Sequence, residues 1–154
     1  MSDLEKFYSD HIDRIYTFCL YRTGNRFVAE DITSTTFLKF FKSDWQRYTQ
    51  PVAYLYTVCR NSLIDHYRAN KNHVSLEALL EKGSDVGATF DTDKRLLILD
   101  AHRAIEMLPE DQKEVILLQY VQDLDNKTIC RILGKSEPAV KSLAYRGLAT
   151  LRDK

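Results

Sequence analysis

Apolar residues recur along this chain at intervals of three and four, and this spacing limits most strongly what it can fold into. Large side chains follow it from Leu4 to Cys19 and again from Val28 to Phe41, which places them on one face of an α-helix. Only five glycines and three prolines interrupt the 154 residues. No segment alternates polar and apolar residues as a half-buried strand does. The sequence therefore predicts an all-α protein.

Some residues mark where helices end or begin, and a linker-like segment divides the chain into two small helical domains. Gly24 is suited to end the first helix, and Pro51 to occupy the first position of the third. Residues 71–92 contain glycines, serines and an acidic surplus with weak apolar periodicity, which is typical of a linker. We therefore expect a helical domain over residues 1–70, a flexible linker over 71–92 and a second helical domain over 93–154.

Charge is balanced overall but unevenly distributed. The chain carries 22 basic and 22 acidic residues. Residues 47–71 carry four basic and one acidic residue, residues 127–154 carry seven and two, and the segment between them carries five and twelve. Local basic patches matter more for phosphate binding than the total charge does. The pattern is compatible with two nucleic-acid contacts and also with an ordinary scatter of solvated charge.

The last part of the chain has the pattern of a helix-turn-helix. Asp125 is placed to cap a short helix over 127–133, Gly134 to end it, and Ser136 to cap the final helix. In that helix Val140 and Leu143 begin an apolar stripe, and basic residues fall on the opposite side. Two helices with this turn, the second basic on its exposed face, fit a DNA major groove. A plain helical hairpin with a solvated basic face is the simpler alternative.

The sequence offers little support for catalysis, metal binding or membrane insertion. The four histidines (His11, His66, His73 and His102) are dispersed and have no companions at ligand spacing. The three cysteines lie far apart, and we interpret them as small buried residues in a reducing compartment. The amino terminus has no signal-peptide pattern, and no run is long enough to span a membrane. We expect a cytoplasmic protein with no cofactor and no metal.

In its motifs the chain resembles the extracytoplasmic-function group of bacterial sigma factors. The carboxyl-terminal part resembles their domain 4 in Leu108-Pro109, the Leu133-Gly134 turn and Val140-Lys141-Ser142. The amino-terminal part resembles their domain 2 in Ala29-Glu30-Asp31 and in YLYTVCRNSLIDHYR, residues 54–68. The resemblance implies a non-catalytic subunit that directs core RNA polymerase to promoters. Members of the group are often bound by an anti-sigma protein, which makes such a protein a candidate partner.

The second helix of that family binds the largest polymerase subunit. The resemblance implies the same role here for Asp31, Ile32, Phe37, Lys39 and Phe41. The two phenylalanines suit a core position equally well. Where the family usually has Gln-Glu, this chain has Ser34-Thr35, which implies different polar contacts to polymerase.

The third helix of the family, with the loop before it, opens the −10 promoter element and holds a flipped base. Asn61 matches the residue of that pocket, and the tyrosines could stack on exposed bases. The resemblance assigns this function to Arg47, Tyr48, Tyr56, Arg60, Asn61, Arg68 and Lys71. Tyr54 stands where the family has tryptophan, and we expect it to pack inside.

The last helix of the family reads the −35 element. The resemblance gives this role, or contacts to the flanking backbone, to Arg131, Lys135, Ser136, Glu137, Pro138, Lys141, Ser142, Tyr145 and Arg146. Phosphate contact is the expected main role of each basic side chain. The leading alternative function is a stand-alone helix-turn-helix regulator that binds duplex DNA without polymerase, and it would not need the amino-terminal domain.

Overall fold

The computed structural model describes residues 2–69 and 90–153, and every regular element in these two ranges is helical. The α-helices there are α1 (Asp3–Thr23), α2 (Arg26–Lys42), α3 (Pro51–Ala69), α4 (Thr92–Glu106), α5 (Glu110–Ile116), α6 (Asn126–Leu133) and α7 (Glu137–Arg152). A 3-10 turn covers Trp45–Arg47, and a π-helical turn covers Leu117–Val121. The all-α prediction is confirmed. Residues 71–89 of the predicted linker lie outside the described residues.

Local capping sets the helix ends in the amino-terminal half. The Ser2 hydroxyl accepts a hydrogen bond from the Glu5 amide at 3.2 Å and begins α1. Gly24 has a φ of 65° and ends α1 in the left-handed conformation, as predicted. The Asn25 side chain then accepts from two amides of the first turn of α2, and Pro51 is the first residue of α3. These breaks separate α1, α2 and α3 as the sequence indicates.

The core of the molecule is built around α1. Six consecutive residues of this helix, Ile15–Leu20, are buried. Because consecutive helical residues point in all directions, a fully buried run requires neighbours on every side of the helix. Helices α2 and α3 pack against α1, and so do α4 and the π-helical turn. A single hydrophobic cluster therefore runs from the amino-terminal helices into the carboxyl-terminal ones.

The carboxyl-terminal half departs from a regular helix after Ile116. Pro109 directly precedes α5 at its N-cap position. The Gln122 amide donates to the Leu117 carbonyl at 2.9 Å and closes the π-helical turn. Asp123 follows with a φ of 56°, a left-handed conformation that reverses the chain before α6. No pattern in the sequence predicts this turn.

The two halves of the protein lie directly against each other. Helix α4 packs on α1, and α6 packs on α3. Phe90, which falls within the predicted linker, is buried, and its ring meets that of Tyr16 edge-on at 4.8 Å. Within the described ranges, no helix combines the length and the hydropathy that crossing a membrane requires.

Candidate nucleic-acid interface

The helix-turn-helix is formed by α6, a short turn and α7. Asp125 caps α6 by accepting from the Thr128 amide at 2.8 Å, and Gly134 ends the helix with a φ of 65°. The Ser136 hydroxyl accepts from the Ala139 amide at 3.3 Å and begins α7. The three capping residues thus act where the sequence analysis expected them. They fix the angle at which α7 leaves the turn.

The close approach that positions α7 occurs at Gly147. A β-carbon built there would lie 2.7 Å from Cγ1 and 3.0 Å from Cδ1 of Ile116. Real β-carbons essentially never come so close to another atom, so any larger residue here must displace the Ile116 side chain or α5 itself.

The outward face of α7 is basic and polar. All nine residues expected to contact the −35 element are exposed: Arg131, Lys135, Ser136, Glu137, Pro138, Lys141, Ser142, Tyr145 and Arg146. Tyr145 is an exposed aromatic side chain on this face, with 72% of its surface accessible. Nζ of Lys141 lies 3.5 Å from Oε1 of Glu137 on the same face. This ion pair is exposed and is therefore easily broken. The nine side chains are therefore all accessible, and Arg131, on α6, also lines a cavity with Arg47 and Tyr48 of the amino-terminal half.

The residues expected to act on the −10 element divide into exposed and covered groups. Arg47, Asn61 and Arg68 are exposed, Tyr48 is half-buried, and Lys71 lies outside the described residues. Tyr56 is only 2% exposed. Its ring is not accessible to a base in this arrangement, so the prediction that it stacks on one is wrong here. Its hydroxyl donates instead to Oε1 of Gln122 at 2.6 Å.

Tyr48 and Tyr54 form an aromatic pair beside the exposed Arg47. Unlike Tyr56, both rings are accessible. Tyr54 was expected to pack inside, yet about a third of its surface is exposed. Its ring lies 4.5 Å from that of Tyr48 and 5.9 Å from that of Phe40. Both tyrosines line a cavity of about 460 Å³ together with Arg47 and Arg131. The sequence signal that could have found Tyr54 is the family's aromatic preference at this position.

The polymerase-binding candidates on α2 also include both buried and accessible side chains. Ile32 and Phe37 are each 2% exposed. In this structure neither side chain is accessible to polymerase, so the prediction that they contact it directly is wrong for this arrangement. They point inward because α2 packs on both α1 and α3. Asp31 and Lys39 are exposed and Phe41 is half-buried. Leu38, which was not among the expected contacts, has a side chain that is 59% exposed on the same helix.

Two of the three cysteines are buried together, as expected of small core residues. The Sγ atoms of Cys19 on α1 and Cys59 on α3 lie 3.4 Å apart, and both are free thiols. Burial raises the pKa of the Cys19 thiol above its ordinary value, which disfavours the reactive thiolate. Cys130 is only half-buried. The buried pair serves the packing of α1 against α3.

The fold and this surface define the class: a helix-turn-helix DNA-binding protein with a second, arginine- and tyrosine-bearing helical domain. The Sigma-70 region 2 family matches residues 7–73, and the Sigma-70, region 4 family matches residues 98–151. The chain belongs to the extracytoplasmic-function (ECF) group of the sigma-70 family of RNA polymerase sigma factors.

Known relatives agree with this assignment over nearly the whole chain. The ECF RNA polymerase sigma factor BldN of Streptomyces coelicolor is 29% identical over 95% of this chain and 58% of its own length. SigE of Mycolicibacterium smegmatis is 29% identical over 99% of this chain, and SigM of Bacillus subtilis is 24% identical over 97%. The chain spans 62% of that SigE and 93% of that SigM, so the first two relatives are considerably longer.

Solved structures share the fold. The sigma factor RpoE of Bartonella quintana, crystallised with the anti-sigma factor NepR, superposes with a TM-score of 0.76 at 20% identity. The superposition covers 99% of this chain and 96% of that one. CnrH, in complex with the cytosolic domain of CnrY, superposes with a TM-score of 0.72 at 18% identity, over 97% of this chain and 85% of that one.

Proposed function

We propose that this protein binds core RNA polymerase and directs it to specific promoters, opening the −10 element and reading the −35 element. The observation that carries the proposal is the presence of both sigma regions in one chain, in the order 2 then 4. In domain terms, residues 1–70 form the −10 and polymerase-binding domain, 71–92 the linker and 93–154 the −35-binding domain. The protein performs no covalent chemistry.

The −35 domain acts through the exposed face of α7. Side chains of this helix can reach base edges in the major groove, whereas those at its ends meet the phosphate backbone. Ser142 and Tyr145 face outward near the middle of the helix, and Arg146 follows them. Lys135 precedes the helix in the turn, where it suits a phosphate contact.

The −10 domain acts through α3 and the loop before it. Asn61 is exposed on α3, and its amide can both donate to and accept from a flipped base. Tyr48 and Tyr54 form an aromatic pair on which an unpaired base can stack. Arg47 and Arg68 are exposed for phosphate contacts. Opening then requires binding energy that offsets the unpairing of a few base pairs.

The polymerase contact is proposed for the outer face of α2. Leu38 supplies an exposed apolar side chain, with Lys39 next to it in the sequence and Asp31 two turns earlier in the helix. An exposed apolar residue rimmed by charge is typical of a protein interface. The protein acts in the bacterial cytoplasm, where its polymerase partner works. An anti-sigma protein is a further candidate partner, by analogy with the relatives crystallised in such complexes.

The function is tested by transcription with purified bacterial core polymerase on a library of promoter sequences. We expect the chain to select a subset of promoters with related −10 and −35 sequences. A chain that cannot bind core polymerase even at low salt would refute the proposal. The stand-alone regulator would then remain, and it predicts duplex binding by α7 without polymerase.

Asn61→Ala gives a sharper test of the −10 domain. We expect it to reduce promoter opening, measured by permanganate reactivity of unpaired thymines, while binding of closed −35 duplex DNA is unchanged. Asp65→Asn, one turn further along α3 at an exposed position paired with Lys39 at 3.8 Å, is the control and should leave opening intact. Loss of −35 duplex binding in Asn61→Ala would contradict the assignment.

A further inference from the structure

The thiols of Cys19 and Cys59 form a pair that neither the proposed DNA contacts nor the proposed polymerase contact uses. Cys19 lies on α1 and Cys59 on α3, and their Sγ atoms are 3.4 Å apart. Both side chains are fully buried, and both are free thiols. Because each sulfur is held by a helix of the core, the two stay close together in the folded chain. Oxidation of either thiol therefore places a reactive sulfur directly beside the other.

The distance between the two sulfurs suits the formation of a disulfide. Groups held about 3–3.5 Å apart are at near-attack distance, and reactions between them are far faster than those between free molecules. A disulfide bond is about 2.05 Å long, so the sulfurs, now 3.4 Å apart, have to approach by about 1.4 Å. Rotation of the two side chains and a small displacement of α3 towards α1 supply this movement. The pair is thus arranged for an intramolecular reaction.

The surroundings of the pair determine which reagents reach it. Burial and the neighbouring Cys59 thiol raise the pKa of the Cys19 thiol, and the Thr33 hydroxyl and Arg22 lower it only in part. Little thiolate is present, so oxidation is slow. Hydrogen peroxide is small and uncharged and enters the core through local fluctuations, whereas a larger thiol reductant needs access to a sulfur. We expect slow oxidation by peroxide and slow reduction afterwards.

The chemical step uses a hydroperoxide as the oxidant. The thiolate of one cysteine attacks an oxygen of hydrogen peroxide, the O–O bond breaks, and a sulfenic acid and one water form. The sulfur of the other cysteine then attacks the sulfenic sulfur, the S–S bond forms, and the hydroxyl group leaves with a proton as a second water. In total the two thiols lose two protons and two electrons, and one peroxide is reduced to two waters.

A bond between these sulfurs acts on the helix that is proposed to open the −10 element. Arg60 and Asn61 directly follow Cys59 on α3. The core is close-packed, so drawing Cys59 towards α1 moves the backbone that carries its neighbours. The amide of Asn61 has to meet a flipped base, and a misplacement of about 1 Å can cost up to about a hundredfold where groups must be precisely placed. Oxidation is therefore expected to impair promoter opening more than duplex binding by α7.

We propose that Cys19 and Cys59 are a dithiol site for hydroperoxides, whose disulfide joins α1 to α3 and slows promoter opening. The effect on opening rests on the proposed function, whereas formation of the bond does not. The site adds a response to oxidants to the promoter contacts, and this response belongs to the chain itself and not to a partner protein.

The test uses the full chain with Cys130→Ala, which leaves Cys19 and Cys59 as the only thiols. The folded protein is treated with excess hydrogen peroxide, free thiols are blocked with iodoacetamide, and tryptic peptides are analysed by mass spectrometry without reduction. We expect residues 15–22 to be linked to residues 48–60, with the loss of two hydrogens. Once the peroxide is removed, promoter opening with core polymerase, measured by permanganate reactivity, should be about tenfold slower. Prolonged treatment with dithiothreitol should restore it.

Cys19→Ala and Cys59→Ala in the same background are the matched controls, and either one suffices if the other does not fold. Each keeps Met1 and Met107, which peroxide also oxidises, and promoter opening by each should not respond to peroxide. An equal loss of opening in a control, an absence of linked peptides, or a linked protein that opens promoters as fast as the reduced one would overturn the proposal. If the reduced protein directs no opening at all, the proposed function fails, and the linked peptides still decide whether the dithiol site exists.

Discussion

Replacing Gly147 with alanine is expected to destabilise the −35 domain, although alanine is the better helix former. Gly147 lies within α7 where that helix meets α5, and it is buried. A β-carbon at this position would lie 2.7 Å from Cγ1 and 3.0 Å from Cδ1 of Ile116. Ile116 is itself buried and has little room to move. Either its side chain must leave its rotamer or the two helices must separate.

The expected magnitude is the difference between two opposing terms. Overpacking of a core costs about 1–3 kcal/mol, and two atoms at such short distances place this site in the upper part of that range. Alanine gains about 1 kcal/mol over glycine in a helix interior. The net loss is therefore about 1–2 kcal/mol in the free energy of unfolding.

Urea denaturation of four proteins separates these terms: the parent, Gly147→Ala, Ile116→Ala and the double variant. Ile116→Ala removes both clashing atoms at a cost of about 2–5 kcal/mol, so all four are measured in a stabilising osmolyte. In this background Gly147→Ala should change sign and stabilise by about 1 kcal/mol. A Gly147→Ala variant as stable as the parent, or the same loss in both backgrounds, would refute the packing argument.

The remaining predictions concern capping and charge. Ser136→Ala should cost about 1 kcal/mol of stability and Ser136→Asp should restore it, as measured by urea denaturation. Hydrogen bonds from Thr128 lower the pKa of Asp125. The stabilisation by its carboxylate is thus present above the unfolded pKa and is lost as the pH falls through the folded pKa. Asp125→Asn, which keeps a capping oxygen, should remove this acid dependence in thermal melts, and a steeper dependence would contradict it. Lys141→Ala should weaken duplex binding about equally for all sequences and reduce its salt dependence by about one counterion. A loss confined to one sequence would instead indicate base reading.

Features that depend on neighbouring residues could be predicted from the sequence. The ends of α1, α6 and α7 depend on Gly24, Gly134 and Ser136, whose effects extend over one helical turn. The exposed face of α7 followed from periodicity alone, since side chains four apart share a side. These helix ends were predictable because the physical cause lies within about one turn of each capping residue.

Features that depend on a distant partner could not be predicted in this way. Tyr56 looked like an available aromatic, but it is buried in the core and its hydroxyl donates to Gln122, 66 residues away in the sequence. Ile32 and Phe37 suited a partner surface and the core equally well, and only the packing of α2 on α1 and α3 decides between them. The ion pair of Arg60 with Glu114 likewise joins two domains whose contact no local pattern encodes.

The π-helical turn over Leu117–Val121 makes the joining of the two domains sensitive to chain length. A π-helical turn accommodates one residue more than an α-helical turn does. Deleting a single residue there would let α5 continue as a regular helix, and each later residue of that helix would rotate by about 100°. The Gln122 carboxamide would then point away from Tyr56, although its chemistry was unchanged. The placement of the helix-turn-helix that follows this turn thus depends on one inserted peptide unit, so single-residue insertions and deletions here should be far more disruptive than substitutions.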